Sequence, residues 1–216
     1  MLVKSPEEIA KARVAAGKTA QILQQLKRAT RVGGTGLDLD AVARRLIEEA
    51  GCKSNFLGYR GFPAAVCISR NEELIHGIPN SKPFSDGDLI SIDFGCSFQG
   101  QHADAAISFI LGKSSAKKER ILDLTNRCLE AVISKISAGD TTEDIAKTIE
   151  SVCSGTEFRL TADFGGHGIG KQLHEPPQIL NVSGIQEPVT LLPGMIICVE
   201  PMLLTASPEI KISADN

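Results

Sequence analysis

Residues 89–109 read LISIDFGCSFQGQHADAAISF, and this stretch decides the fold. Two strand-like runs flank Gln99-Gly100, a pair suited to a tight hairpin turn. Asp93 and Asp104 stand eleven positions apart, one on each run. An even-length loop centred near 98–100 requires cross-strand partners whose numbers sum to 197 or to 199. In the first register the aspartates face each other; in the second they are diagonal neighbours on one face. Either register sets two carboxylates side by side, which is unfavourable for bare charges and favourable around a cation.

Working outward, Ser5-Pro6-Glu7-Glu8 is a helix start: a capping serine, proline in the first turn and acids at the positive dipole end. Ile9, Val14, Ala15, Ile22 and Leu26 carry an apolar stripe to about Lys27. Gly33-Gly34-Thr35-Gly36 breaks the chain, and Asp38–Ala50 reads as a second helix with Leu39, Val42, Leu46 and Ile47 inward. Strand-like runs follow around Ala64–Ser69, Asp88–Phe94 and Ala103–Leu111. The order then repeats. Helical patterns at about Ala116–Ile136 and Thr142–Cys153 precede strand-like segments around His167 and over Ile196–Leu204. Two successive helix–helix–strands halves predict an α+β fold with internal pseudo-symmetry. The βαβ rhythm of a doubly wound sheet is missing. Nothing in the composition separates the halves, so residues 1–216 are expected to form a single domain.

Bulk numbers narrow the function classes. A chain of 216 residues with 42% hydrophobic and 23% charged residues suits one sizeable core. The net charge of −3 gives no electrostatic reason to expect nucleic acid or an anionic membrane as partner. The six cysteines are scattered without a C-x-x-C pair, as in reduced, mostly buried thiols of an intracellular protein. The N-terminal residues lack the unbroken apolar core of a signal peptide, and no run approaches the ~20 apolar residues of a membrane span. The expected location is the cytoplasm.

Two further residues extend the aspartate pair into a metal-ligand set. His167 lies in Gly165-Gly166-His167-Gly168-Ile169-Gly170, where glycines admit close backbone approach. This stretch is not a dinucleotide loop, because Lys171 stands where the last glycine of G-x-G-x-x-G is required. Glu200 lies inside the apolar run Ile196-Ile197-Cys198-Val199-Glu200-Pro201-Met202, where a carboxylate is costly without a partner. Alone, each has an ordinary structural reading. Together with Asp93 and Asp104 they supply carboxylate and imidazole donors suited to a divalent first-row metal and to metal-assisted hydrolysis. His76 (His76-Gly77-Ile78-Pro79) and His174 (His174-Glu175-Pro176-Pro177) form no helical H-x-x-x-H pair, so they fit supporting or substrate-contacting roles. Asp93-Phe94-Gly95 matches the kinase tripeptide, but no H-R-D or glycine loop accompanies it.

In this order and spacing, NEELIHGIP (71–79), the 89–109 hairpin, GGHGIGKQLHEPPQ (165–178) and PGMIICVEPM (193–202) resemble the type I methionine aminopeptidases of bacteria. The resemblance runs over essentially the whole chain. It implies the pita-bread α+β fold and removal of the initiator methionine from nascent chains whose second residue is small. Asp93, Asp104, His167 and Glu200 would then be metal ligands, with Asp104 bridging two ions drawn from cobalt, manganese, iron or zinc. His174 and His76 would contact the scissile amide, and Glu200 would accept a proton from the attacking water. Tyr59, Phe62 and Cys67 match the segment lining the methionine pocket. The substrates implied are N-terminal methionyl peptides and nascent chains, with ribosome association and a monomeric state as further expectations.

Several positions depart from the family pattern. Phe56 stands where cysteine is frequent, Arg60 where histidine is frequent, and Leu173 where an aromatic often precedes the second histidine. The family's fifth ligand is a bridging glutamate on a final strand beyond the Pro208–Asn216 segment. Sixteen residues follow Glu200, and their only acids, Glu209 and Asp215, stand outside the expected motif. The expectation is therefore a C-terminally incomplete site holding two ions or one. Two alternatives stay open here: a catalytically impaired pita-bread module that binds peptides, and an Xaa-Pro aminopeptidase-like hydrolase.

Overall fold

The computed structural model describes residues 3–205 and 210–212, so Glu209 and Asp215 lie outside the described residues. The chain forms two compact units, one built mainly from Glu7–Lys118 with Gly170–Leu173, the other mainly from Glu119–Ile169 and the residues from His174 onward. Among the described residues no helix is long and apolar enough to cross a membrane.

In the first unit, α1 (Pro6–Ala29) carries Glu7 and Glu8 in its first turn and Lys27 and Arg28 in its last, complementing the helix dipole at both ends. Its buried stripe is Ala12, Ala15, Thr19, Ile22, Leu23 and Leu26. Val14, expected inward, is 47% exposed, because it sits about 100° off that stripe. The second helix, α2 (Gly36–Glu49), starts two residues before the expected Asp38. Thr35 is its cap: the hydroxyl accepts the Asp38 N–H, while the Asp38 carboxylate accepts the Thr35 N–H.

These helices cover a four-stranded antiparallel sheet of β1 (Lys53–Ser54), β2 (Cys67–Arg70), β3 (Leu89–Phe98) and β4 (Gln101–Ile110). β3 pairs with β4 along one edge and with β2 and then β1 along the other. The strand expected over Ala64–Ser69 is shorter, since the Ala65 N–H is taken by the Asp40 carboxylate (2.6 Å) instead of a ladder partner. Ile90, Ile92, Phe94 and Cys96 alternate inward on β3 and meet Ile22, Leu26, Leu39, Leu46 and Ile68 in the core. With a period of two, Ser91, Asp93 and Gly95 occupy the opposite face. Ser91 Oγ meets Ser108 Oγ of β4 there at 2.7 Å.

The second unit repeats the plan. α3 (Ala116–Lys135) is followed by α4 (Thr142–Cys153), capped by the same reciprocal device between Thr141 and Asp144. Cys128 of α3 and Cys153 of α4 touch in the interior, Sγ to Sγ 3.5 Å. Two small antiparallel pairs follow. β5 (Arg159–Leu160) pairs with β8 (Leu203–Leu204), and β6 (Gly165–Gly168) pairs with β7 (Glu175–Leu180), on which α4 packs. The strand expected over Ile196–Leu204 is regular only at β8. Residues 196–198 instead lie along the edge of β6 opposite β7, bonded to the backbone of His167 and Ile169. Pro201, lacking an N–H, interrupts any continuation toward β8.

Candidate metal centre

In the first unit the hairpin adopts the register summing to 199: Asp93 pairs with Ala106 and Gly95 with Asp104. The aspartates are therefore diagonal neighbours on the face turned away from the helices. The turn fixes this outcome, since Gln99 (φ 50°) and Gly100 (φ 77°) are both left-handed, as a two-residue type I′ loop demands. Gly95 leaves the space for the pair: a Cβ there would stand 3.0 Å from Asp104 Oδ1 and 2.7 Å from Asn55 Nδ2. Asn55 in turn donates to the Ala103 carbonyl (2.9 Å) and pairs with His102 Nδ1 (2.8 Å), clamping β4 just before Asp104.

Cys67 on β2 is the direct cross-strand partner of Asp93. Burial, then the negative charges of Asp93 and Asp104, push its thiol pKa far upward, which keeps it a neutral, apolar group on the aspartate face. His76 follows on the loop after β2, in a left-handed conformation (φ 60°). Gly77 anchors that loop: its carbonyl accepts the Ile68 N–H (2.8 Å), an approach only a residue without a Cβ allows. Desolvation draws the His76 pKa below its ordinary value, and the charge of Asp104 opposes that shift. Phe62 is half-buried and meets buried Phe56 edge-to-face, centroids 6.5 Å apart. The phenylalanine that replaces the family's frequent cysteine is thus a wall for Phe62. Tyr59 is exposed, with the Arg60 guanidinium 5.5 Å from its ring centroid.

In the second unit, glycines bring three backbones together around His167. A Cβ on Gly166 would stand 2.7 Å from the Cys198 carbonyl carbon, and one on Gly168 would stand 2.8 Å from the Glu175 carbonyl oxygen. His167 is buried, and its Nδ1 lies 2.8 Å from the Gly168 carbonyl. A carbonyl only accepts, so Nδ1 carries the proton and Nε2 is left as the donor atom for a metal. That Nε2 lies 3.4 Å from Glu200 Oε1. Buried Asn181 holds Glu200 in place by donating to its carbonyl (2.9 Å) and to that of Phe164 (3.4 Å). His174 stacks obliquely on His167, centroids 4.2 Å apart.

The sequence-predicted residues thus fall into two clusters. Asp93, Asp104, Cys67 and His76 gather in the first unit, and His167, Glu200 and His174 in the second. Tautomer and donor chemistry at His167–Glu200, together with paired carboxylates on one face, fit a divalent cation. Sequence reasoning passed over His102, although it shares the strand face of Asp104, two residues before it. It also passed over Cys198, whose two-residue spacing from Glu200 was visible but uninterpreted.

The model of metallopeptidase family M24 matches residues 10–214. The methionine aminopeptidase of Mycoplasma capricolum is 38% identical over 215 residues, 99% of this chain and 86% of that protein. The crystal structure of the methionine aminopeptidase from Thermotoga maritima superposes with a TM-score of 0.95 at 32% identity, covering all of this chain and 87% of that one. An Xaa-Pro dipeptidase from Bacillus anthracis shares the fold alone, with a TM-score of 0.79 at 22% identity and 54% of its length covered. The pita-bread fold is confirmed, and nothing favours the Xaa-Pro or impaired-module alternatives. This chain belongs to metallopeptidase family M24 and, within it, to the methionine aminopeptidases.

Proposed function

We propose that the chain releases the N-terminal methionine of nascent proteins whose second residue is small, with Asp93, Asp104, His167 and Glu200 as ligands of its divalent metal. The observation that carries this reading is the His167 imidazole: Nδ1 is fixed by the Gly168 carbonyl, and Nε2 is presented 3.4 Å from a Glu200 oxygen. When bound, the metal supplies Lewis acidity toward the substrate carbonyl and makes a coordinated water acidic. Glu200 accepts the proton of the attacking water. His174, stacked on His167, donates to the scissile carbonyl as negative charge develops there. His76, held beside β2 by Gly77, contacts the substrate's peptide nitrogen. Tyr59, Phe62 and Cys67 enclose the methionine side chain, whose flexible thioether suits apolar and soft walls.

The ion is cobalt, manganese, iron or zinc, with one or two bound per chain. The working form is a cytoplasmic monomer that meets its substrates at the ribosome. The test is hydrolysis of Met-Ala-Ser by metal-depleted protein reloaded with each ion in turn, with Ala-Pro as comparator and bound metal counted in the same samples. Metal-dependent release of methionine and inert Ala-Pro are expected. A fully folded, metal-loaded protein that leaves Met-Ala-Ser intact would overturn the reading.

A further inference from the structure

Cys198 belongs to neither the expected ligand set nor the methionine pocket, yet it is the residue directly across from His167. Its N–H donates to the His167 carbonyl (2.7 Å), and the His167 N–H donates to the Cys198 carbonyl (3.2 Å). Residues that exchange both bonds in an antiparallel pair carry their side chains on the same side. The Cys198 sulfur, a His167 ring nitrogen and a Glu200 carboxylate oxygen accordingly all lie within 4.8 Å of one another. The thiol is half-buried beside a buried imidazole. Metal–sulfur bonds of about 2.3 Å and metal–nitrogen or –oxygen bonds near 2.0–2.2 Å set donor atoms roughly 3.3–3.8 Å apart around a tetrahedral ion. The 3.4 Å separation of His167 Nε2 and Glu200 Oε1 already meets that requirement.

We propose that Cys198 is a thiolate ligand of the ion held by His167 and Glu200, its proton leaving to solvent on binding. The inference rests on the metal reading above and adds to it. Its consequence is metal choice. A soft sulfur beside one imidazole and one carboxylate favours zinc, cobalt(II) or iron(II) and disfavours manganese and magnesium. A second thiol, Cys67, sits across from Asp93 in the first unit and provides the internal control.

The experiment is cobalt(II) titration of the metal-free full-length chain, followed by absorption, for wild type, Cys198→Ser, Cys198→Ala and Cys67→Ser. The expected result is a near-ultraviolet thiolate-to-cobalt charge-transfer band in wild type. Cys67→Ser keeps that band, and both Cys198 variants lose it while retaining the weaker visible cobalt bands. Zinc affinity, measured against a chelating dye, should fall about tenfold or more in Cys198→Ser, with manganese affinity nearly unchanged. Visible bands without the charge-transfer band in wild type, or a band that follows Cys67, would overturn the role of Cys198 and leave the His167–Glu200 site standing. No cobalt absorption and no zinc affinity would overturn both. Should the Cys198 variants fail to fold, alkylation of wild type with peptide mass mapping decides the matter. Bound zinc must protect Cys198, and equal labelling with and without zinc refutes the proposal.

Discussion

Gly166→Ala is the sharpest perturbation the structure offers. The added Cβ would sit within the Cys198 carbonyl, 2.7 Å from its carbon and 3.2 Å from Val199 Cα, and both neighbours are backbone. Relief therefore requires residues 196–199 to move off the edge of β6. That motion gives up the two bonds between His167 and Cys198, each worth about 1 kcal/mol net. Strain left in a tight site adds about 1–3 kcal/mol. The total, roughly 3–5 kcal/mol, corresponds to a drop in Tm of about 6–20 °C for a chain of this size. The control is Gly17→Ala on the exposed side of α1, where a Cβ meets nothing within 4 Å. That change should stabilise by about 0.5–1 kcal/mol through helix propensity alone. Scanning calorimetry with and without zinc reads both effects. Wild type at about 100 times the dissociation constant gains roughly 2.7 kcal/mol from the ion. Gly166→Ala should lose most of that gain as well, because Cys198 and Glu200 move with the displaced segment. A Gly166→Ala protein that melts within about 2 °C of wild type and still gains from zinc would refute the account of how the β6 edge builds the site.

Asp104→Asn and His167→Ala should each abolish metal binding and methionine release together, measured by metal analysis and peptide hydrolysis; normal turnover in either would remove that residue from the ligand set. Asn181→Ala leaves the Glu200 and Phe164 carbonyls without their buried donor, so a loss of about 1–3 kcal/mol is expected by chemical denaturation, with zinc affinity lowered at the same time. The Thr141 hydroxyl holds the Asp144 carboxyl below its ordinary value of 3.8. Because the folded value lies below the unfolded one, the carboxylate's stabilisation is complete above the unfolded value and is lost as pH falls through the folded one. Asp144→Asn should therefore melt below wild type at pH 7, and the two Tm values should converge as pH falls through the carboxyl's folded value. A constant difference across that range would show that the charge is not what matters.

What could be read in advance follows the range of the interactions that build each part. The aspartate pair was legible because a hairpin is local. Gln99-Gly100 selects a two-residue type I′ loop, the loop fixes the register, and the register puts Asp93 and Asp104 on one face. Both capping boxes are equally local, and Thr35-x-x-Asp38 and Thr141-x-x-Asp144 stand in the sequence at the start of the second helix of each half. Reading the first of those helices from Asp38 missed its start because the carboxylate at the third helical position was taken for the beginning. Val14 was misassigned for a different reason. Ala12 and Thr19 help carry the buried stripe on α1, and small or polar members of a stripe are invisible to a count of large apolar residues.

The edge of β6 depends on pairings between residues about thirty apart, and no local pattern announces them. The run Ile196–Met202 has the composition of a buried strand, but a strand assignment says nothing about which residue lies opposite. Once Cys198 is known to face His167, the same two-residue periodicity that placed the aspartates places Cys198 and Glu200 near one imidazole. The two halves thus use one device, a cross-strand pair beside a glycine that lets the chains approach. In the hairpin that glycine is Gly95, making room for Asp104; at the β6 edge it is Gly166, making room for the Cys198 backbone. Side chains at the first position must accommodate carboxylates, and at the second an imidazole and a sulfur. The repeat in the fold therefore does not imply a repeat in the chemistry. Two aspartates share one strand face in the first half, whereas an imidazole, a thiol and a single carboxylate meet in the second.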